Sequence, residues 1–233
     1  MSKLSPIFCA IDTKNPAEAQ ALAQKLHGHV GGLKLGLEYF MANGPQGYAP
    51  FVHSDTPLFV DVKLHDIPNT VAGGIASLLP LEPDFITIHT AGGAAMMKAA
   101  AQAADKATGK RPKILGVTVL TSLDSNDLAQ VGQDTDTATQ VRRLALLAKD
   151  SGLDGIVCSP VEVAMLREAC GPDLILMVPG IRPAWAATGD QKRVMTPREA
   201  IDAGATYLVI GRPITGAADP AEAAQRINAE LVA

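Results

Sequence analysis

The feature that most constrains this chain is an alternation repeated along its whole length. Short apolar runs at residues 7–12, 33–36, 58–64, 85–89, 113–120, 155–159, 174–178 and 206–210 are rich in Val, Ile and Leu, as strands require. Between them lie stretches of helical composition and spacing, at residues 17–26, 68–79, 94–107, 137–149 and 161–168, with a last one at 220–231. Strands joined by helices run parallel, and parallel strands are buried on both faces. Eight such units predict a parallel sheet, and closing it into a (β/α)8 TIM barrel leaves no edge strand unpaired. A doubly wound open sheet is the structural alternative. A length of 233 residues suits one barrel, so residues 1–233 are expected to form a single domain.

The run 58–64, Leu-Phe-Val-Asp-Val-Lys-Leu, is apolar except at Asp61 and Lys63. Side chains alternate across a strand, so this spacing puts both charges on one face and Val60, Val62 and Leu64 on the other. Asp66 adds a second carboxylate where strand gives way to helix. A structural reading makes Asp61 and Lys63 an ion pair and Asp66 a helix N-cap ahead of Pro68. Against it, three charges within six residues of an apolar strand are costly to bury unless they form a network or serve a site.

Sites in such barrels sit at the carboxyl ends of the strands. The polar residues collect there: Asp12, Lys34, Asp61, Lys63, His89, Thr121, Ser159 and Arg212, while the middles of the runs are apolar. A ligand site at the carboxyl-terminal mouth is therefore expected. Gly180-Ile181-Arg182-Pro183 follows the seventh run, residues 189–193 read Gly-Asp-Gln-Lys-Arg, and the eighth run ends in Gly211-Arg212-Pro213. Glycines let backbone N–H groups approach an anion, and guanidinium groups match phosphate oxygens. The loops after strands seven and eight are the usual phosphate position in this fold, which predicts a phosphorylated small molecule. The alternative is that Arg182 and Arg212 are solvated surface residues.

Other classes are disfavoured. The formal charge is −4, and the longest basic runs are pairs such as Lys110-Arg111 and Lys192-Arg193, so no nucleic-acid footprint exists. No apolar run approaches the ~18 residues of a membrane span. Residues 1–6 lack the apolar core of a secretory signal. Cys9, Cys158 and Cys170 are odd in number, without metal-ligand spacing. Reduced thiols in a cytoplasm are the expectation.

Asp61-x-Lys63-x-x-Asp66-Ile67-Pro68-Asn69-Thr70 resembles the signature of the orotidine 5'-phosphate decarboxylase family. The resemblance extends along the chain through Ala10-Ile11-Asp12, Lys34, Leu120-Thr121-Ser122, Pro179-Gly180-Ile181-Arg182, Asp190-Gln191-Lys192-Arg193 and Gly211-Arg212-Pro213-Ile214. It implies cofactor-free loss of CO2 from C6 of orotidine 5'-phosphate, giving UMP. In that family Lys63 protonates a C6 carbanion, Asp61 sits by the departing carboxylate, and Lys34 links Asp61 to the ribose hydroxyls. Asp66 completes the array and, with Ile67 and Thr70, reaches the neighbouring subunit's site in a homodimer. Asp12 is implied at the ribose, Thr121 and possibly Ser122 at the pyrimidine, and Arg182, Gln191, Gly211 and Arg212 at the phosphate. His89 is read as structural or as a neighbour that supports the site residues without meeting the ligand. Two rivals stand beside this: a metal-dependent relative such as a 3-keto-L-gulonate 6-phosphate decarboxylase or a hexulose phosphate synthase, and a barrel that binds a phosphorylated ligand without turnover. The first carries a Glu at strand two to help hold Mg²⁺, where this chain has Lys34, and an ammonium is no ligand for a hard cation.

Overall fold

A computed structural model describes residues 5–52, 54–186 and 195–232. Its eight strands are β1 Ile7–Ile11, β2 Gly32–Gly36, β3 Leu58–Leu64, β4 Phe85–His89, β5 Lys113–Val117, β6 Gly155–Val157, β7 Ile175–Val178 and β8 Tyr207–Ile210. Each pairs in parallel with the next, and β8 returns to β1 through Ile7↔Leu208 and Phe8↔Val209. The sheet is thus a closed (β/α)8 barrel, and the open-sheet alternative falls.

Two apolar cores follow from strand alternation. Outward-facing residues such as Ile7, Ile11, Val60, Ile86, Ile88 and Ile114 pack beneath the helices. Inward-facing residues form a separate cluster of Phe8, Ala10, Phe59, Phe85, Leu115, Met177 and Val209. Its rings meet edge to face, Phe8 lying 5.3 Å from Phe85 and 5.4 Å from Tyr207 between centroids, the geometry ring quadrupoles favour. Gly32 makes room for this packing, since a Cβ there would fall 2.1 Å from the Phe8 ring. The aromatic layer fills the barrel interior below the strands' carboxyl ends.

The amino-terminal end is stapled by side chains. Asp84 Oδ2 accepts the Leu58 N–H at 2.9 Å, Asp154 Oδ2 the Ile114 N–H at 2.7 Å, and Thr206 Oγ1 the Leu176 N–H at 3.1 Å. Each acceptor lies just before an even-numbered strand and grips the start of the odd-numbered strand preceding it. A cation secures each one: Lys110 on Asp84, Arg111 on Asp154 at 2.9 Å, and Arg167 on Thr206 at 3.1 Å.

Several expected boundaries shift. β5 stops at Val117 rather than at residue 120. The expected loop near residue 125 holds a helix, Ser125–Gln130, started by an Asp124/Asp127 capping box. Short helices Leu37–Asn43, Pro197–Asp202 and Arg212–Thr215 were also not anticipated. Asp66 is not an N-cap: that position is Ile67, and Asp66 Oδ1 instead accepts the adjacent Ile67 N–H at 2.6 Å. Among the described residues no helix is long and apolar enough to cross a membrane.

Candidate active site

Just above the aromatic layer the inward positions become polar. β2 contributes Lys34 and β3 contributes Asp61, only 9% and 8% exposed respectively. Burial opposes ionisation of Asp61, yet its pKa is held below the ordinary carboxylate value by the charges of Lys34 and Lys63 and by hydrogen bonds from Lys63 and Thr87. Lys63 Nζ donates to Asp61 Oδ1 at 2.8 Å, and Lys34 Nζ stands 3.5 Å from Asp61 Oδ2 and 3.6 Å from Asp12 Oδ1. Two carboxylates and two ammonium groups thus alternate across the mouth as Asp12, Lys34, Asp61, Lys63.

Lys63 reaches this row by a route that simple alternation does not describe. The β3–β4 register shifts between Val60 and Leu64, and Lys63 has a φ of 50°. The strand bulges there, which re-aims the side chain. Gly36 keeps the neighbouring space open: a Cβ on it would lie 3.3 Å from Lys34 Nζ.

A cavity of about 550 Å³ lies over these groups, within the size range of small-molecule sites. The four charged residues line one side. Ala10, Phe59, Val117, Val157, Cys158 and Val209 supply an apolar base, with Val119, Leu120 and Thr121 on the β5 side. Pro179, Gly180, Arg182, Gly211, Arg212 and Thr215 close the far wall. Arg182 is buried and donates from its guanidinium to the Ile181 carbonyl at 2.8 Å. Beside both arginines a smaller cavity of about 290 Å³ is bordered by Trp185, whose Nε1 donates to Glu230 at 2.8 Å and whose ring lies 4.4 Å from the Arg226 guanidinium.

Of the residues expected at the site, Asp12, Lys34, Asp61, Lys63, Thr121, Arg182, Gly211 and Arg212 converge on the one cavity. Asp66, Ile67 and Thr70 do not line it; they are exposed on the rim. Ser122 is exposed outside it, and Gln191 lies outside the described residues. His89 and Ser159, grouped with the mouth residues from their strand-end positions, do not line the cavity either. Ser159 is fully buried where it begins a turn of 3-10 helix. The His89 ring packs 5.5 Å from that of His65; burial and the nearby His65 and Lys63 lower its pKa, against the opposing pull of Asp61. The sequence reading missed Thr87, fully buried, which bonds both Asp61 and Lys63. Its signal was available: a hydroxyl inside the apolar run Phe-Ile-Thr-Ile-His, two residues after inward-facing Phe85.

The closed barrel and its charge-lined mouth define a class, the (β/α)8 barrels built around a small-molecule site. Comparison with known proteins is more particular. Residues 5–227 match the orotidine 5'-phosphate decarboxylase / HUMPS family, and the chain belongs to it. An orotidine 5'-phosphate decarboxylase of Paramagnetospirillum magneticum is 56% identical over 98% of this chain and 99% of that protein. One of Rhodospirillum rubrum is 52% identical over 98% of this chain and 94% of its own length. Among solved structures, that of orotidine 5'-phosphate decarboxylase from Lactobacillus acidophilus superimposes with a TM-score of 0.88 at 37% identity, covering 98% of this chain and 100% of that one.

Proposed function

We propose that this protein decarboxylates orotidine 5'-phosphate to UMP and CO2 in pyrimidine biosynthesis, without a cofactor. One observation carries the reading: a buried, ionised Asp61 clamped between Lys34 and Lys63, across a cavity from Arg182 and Arg212. The orotidine 5'-phosphate decarboxylases that the chain resembles over nearly its full length support it.

Loss of CO2 from C6 leaves an electron pair in an orbital orthogonal to the ring π system. No ring position delocalises it, so fixed charge must stabilise it. Lys63 serves this role: its ammonium faces the developing carbanion and then donates a proton to C6, as general acid. Asp61 lies beside the departing carboxylate and holds Lys63 in line. Lys34 ties Asp61 to Asp12, the two positioned for the ribose hydroxyls. Thr121 faces the pyrimidine, and Arg182 and Arg212, with Gly211 and Gln191, take the phosphate. That grip is remote from C6, and its binding energy can be expressed in the transition state.

Asp66 and Thr70, exposed at the rim of their own chain, fit a role in the neighbouring mouth of a homodimer. The chain acts as a single domain, and its three free, buried cysteines suit the cytoplasm. The metal-dependent relatives are disfavoured by Lys34, which occupies the place where they need a carboxylate.

Ultraviolet absorbance of orotidine 5'-phosphate should fall when purified protein is added, at the same rate in EDTA as without it. A rate abolished by EDTA and restored by Mg²⁺ would favour the metal-dependent rival. Tight UMP binding with no loss of absorbance would leave the binding-only barrel.

A further inference from the structure

Lys63 stands where regular pairing has failed. Its φ of 50° lies in the left-handed region that residues with a Cβ seldom occupy, and the ladder to β4 slips a register between Val60 and Leu64. A backbone N–H at such a point loses its strand partner and, where half-buried, needs another acceptor. The Thr87 hydroxyl takes that place, accepting the Lys63 N–H at 3.0 Å. A hydroxyl has one proton to give, and this one goes to Asp61 Oδ1 at 2.9 Å. The same carboxylate oxygen receives Lys63 Nζ at 2.8 Å. One side chain therefore holds Lys63 by its backbone and also fixes the oxygen to which its ammonium is tethered, leaving Oδ2 turned toward Lys34 at 3.5 Å.

Among the described residues no other side chain bonds both the Lys63 N–H and Asp61. Thr87 is fully buried, and β4 offers no other hydroxyl. We infer that Thr87 is a positioning residue for the reaction: its hydroxyl stabilises the bulged conformation of Lys63 and sets the orientation of Asp61, so that ammonium and carboxylate meet the substrate at fixed places. This rests on the proposed decarboxylation, in which Lys63 and Asp61 act on the ring.

The test compares Thr87→Val, which keeps the shape and removes the hydroxyl, with Thr87→Ser, which keeps the hydroxyl. Leaving the Lys63 N–H without an acceptor should lower kcat for orotidine 5'-phosphate roughly 10- to 100-fold in the valine variant. KM should change less than about threefold, because the phosphate wall is untouched, and the serine variant should stay near wild type. A second readout separates positioning from general loosening. Asp61 is faced by Lys34 on β2, Lys63 on its own strand, His89 on β4 and the Tyr48 phenol, and of its hydrogen bonds only that from Thr87 is removed. The acid limb of kcat/KM should accordingly move to higher pH in the valine variant and not in the serine variant.

A valine variant with wild-type kcat and an unmoved acid limb would overturn the assignment. If it does not fold, Thr87→Cys, whose thiol is a weak donor and acceptor, takes its place in the same comparison. If the wild-type protein itself leaves orotidine 5'-phosphate unchanged, the proposed function fails, and Thr87 is then judged by a crystal structure of the variant. Release of Lys63 from its left-handed φ, or a Lys63–Asp61 separation beyond hydrogen-bond range, would support the positioning role. An unchanged bulge and ion pair would refute it.

Discussion

Replacing Asp61 by Asn removes the anion from the centre of the array while changing the side chain's volume very little. In the native mouth two carboxylates balance two ammonium groups; afterwards Lys34 and Lys63 face one neutral amide, and only the largely exposed Asp12 remains. At an effective dielectric of about 20, unit charges separated as Asp61 is from Lys63 and from Lys34 attract by ~6 and ~5 kcal/mol. Desolvation of the ions offsets several kcal/mol of this, and removing one member of a buried pair typically costs ~3–5 kcal/mol. Lys63 is about a third exposed, so water recovers part of the loss, and ~3 kcal/mol is the reasonable expectation. For a chain of this size that corresponds to a fall in Tm of roughly 6–12 °C, read by circular dichroism near neutral pH. Adding Lys34→Met should restore part of the loss, because it removes the ammonium left without its nearest anion. The sign with pH also follows. The folded pKa of Asp61 lies below its unfolded value, so its contribution is complete above the unfolded value and disappears as pH falls through the folded one. The gap between wild type and variant should narrow only in acid. A variant as stable as the native protein at neutral pH, or a double variant whose losses simply add, would refute the view of Asp61 as the keystone of a balanced charge array.

Arg212→Ala should weaken UMP binding by roughly 100-fold in calorimetry while leaving uridine, which lacks the phosphate, nearly unaffected; equal losses for both would remove Arg212 from the phosphate wall. Arg167→Met should lower stability to urea by ~3 kcal/mol, since its guanidinium bonds the carbonyls of Gly171, Pro172, Leu174 and Gly204 besides Thr206, and kcat should be unchanged. His89 has a lowered folded pKa, so the stability it lends is present above its unfolded value and lost on acidification. His89→Gln should therefore lose less stability than wild type between pH 7 and pH 5, measured by denaturant midpoints, and an identical slope would contradict the shift. Mixing inactive Lys63→Ala and Asp66→Ala chains should regenerate activity in a heterodimer if Asp66 serves the neighbouring mouth, and a confirmed heterodimer without activity would refute that sharing.

The barrel was legible because parallel strands buried on both faces leave continuous apolar runs, and their polar ends mark the mouth without any knowledge of contacts. Short helices such as Leu37–Asn43 and Arg212–Thr215 were not, since one or two turns bounded by glycine carry too little periodicity. Asp61 and Lys63 were found by spacing, but spacing alone could not tell that Lys63 sits on a bulge in a left-handed conformation. That state depends on Thr87, twenty-four residues away along the chain, and only tertiary pairing brings the two together. Ser159 misled for the complementary reason: a polar residue at a strand end can be buried away from the mouth as readily as face it, whereas His89, outside the cavity, fits the structural reading given to it. Asp66 and Thr70 carry a signature whose proposed use lies on another molecule, so one chain cannot display it.

The clasps formed by Asp84, Asp154 and Thr206 have a consequence for how this scaffold tolerates change. They join β3 to β4, β5 to β6 and β7 to β8 at the pole farthest from the ligand, with acceptor and cation both drawn from connecting segments there. Three of the eight strand-to-strand seams are thereby secured without borrowing any group from the rim where chemistry would occur. New loops or altered chemistry could be grafted onto that rim while the opposite pole goes on holding the cylinder shut.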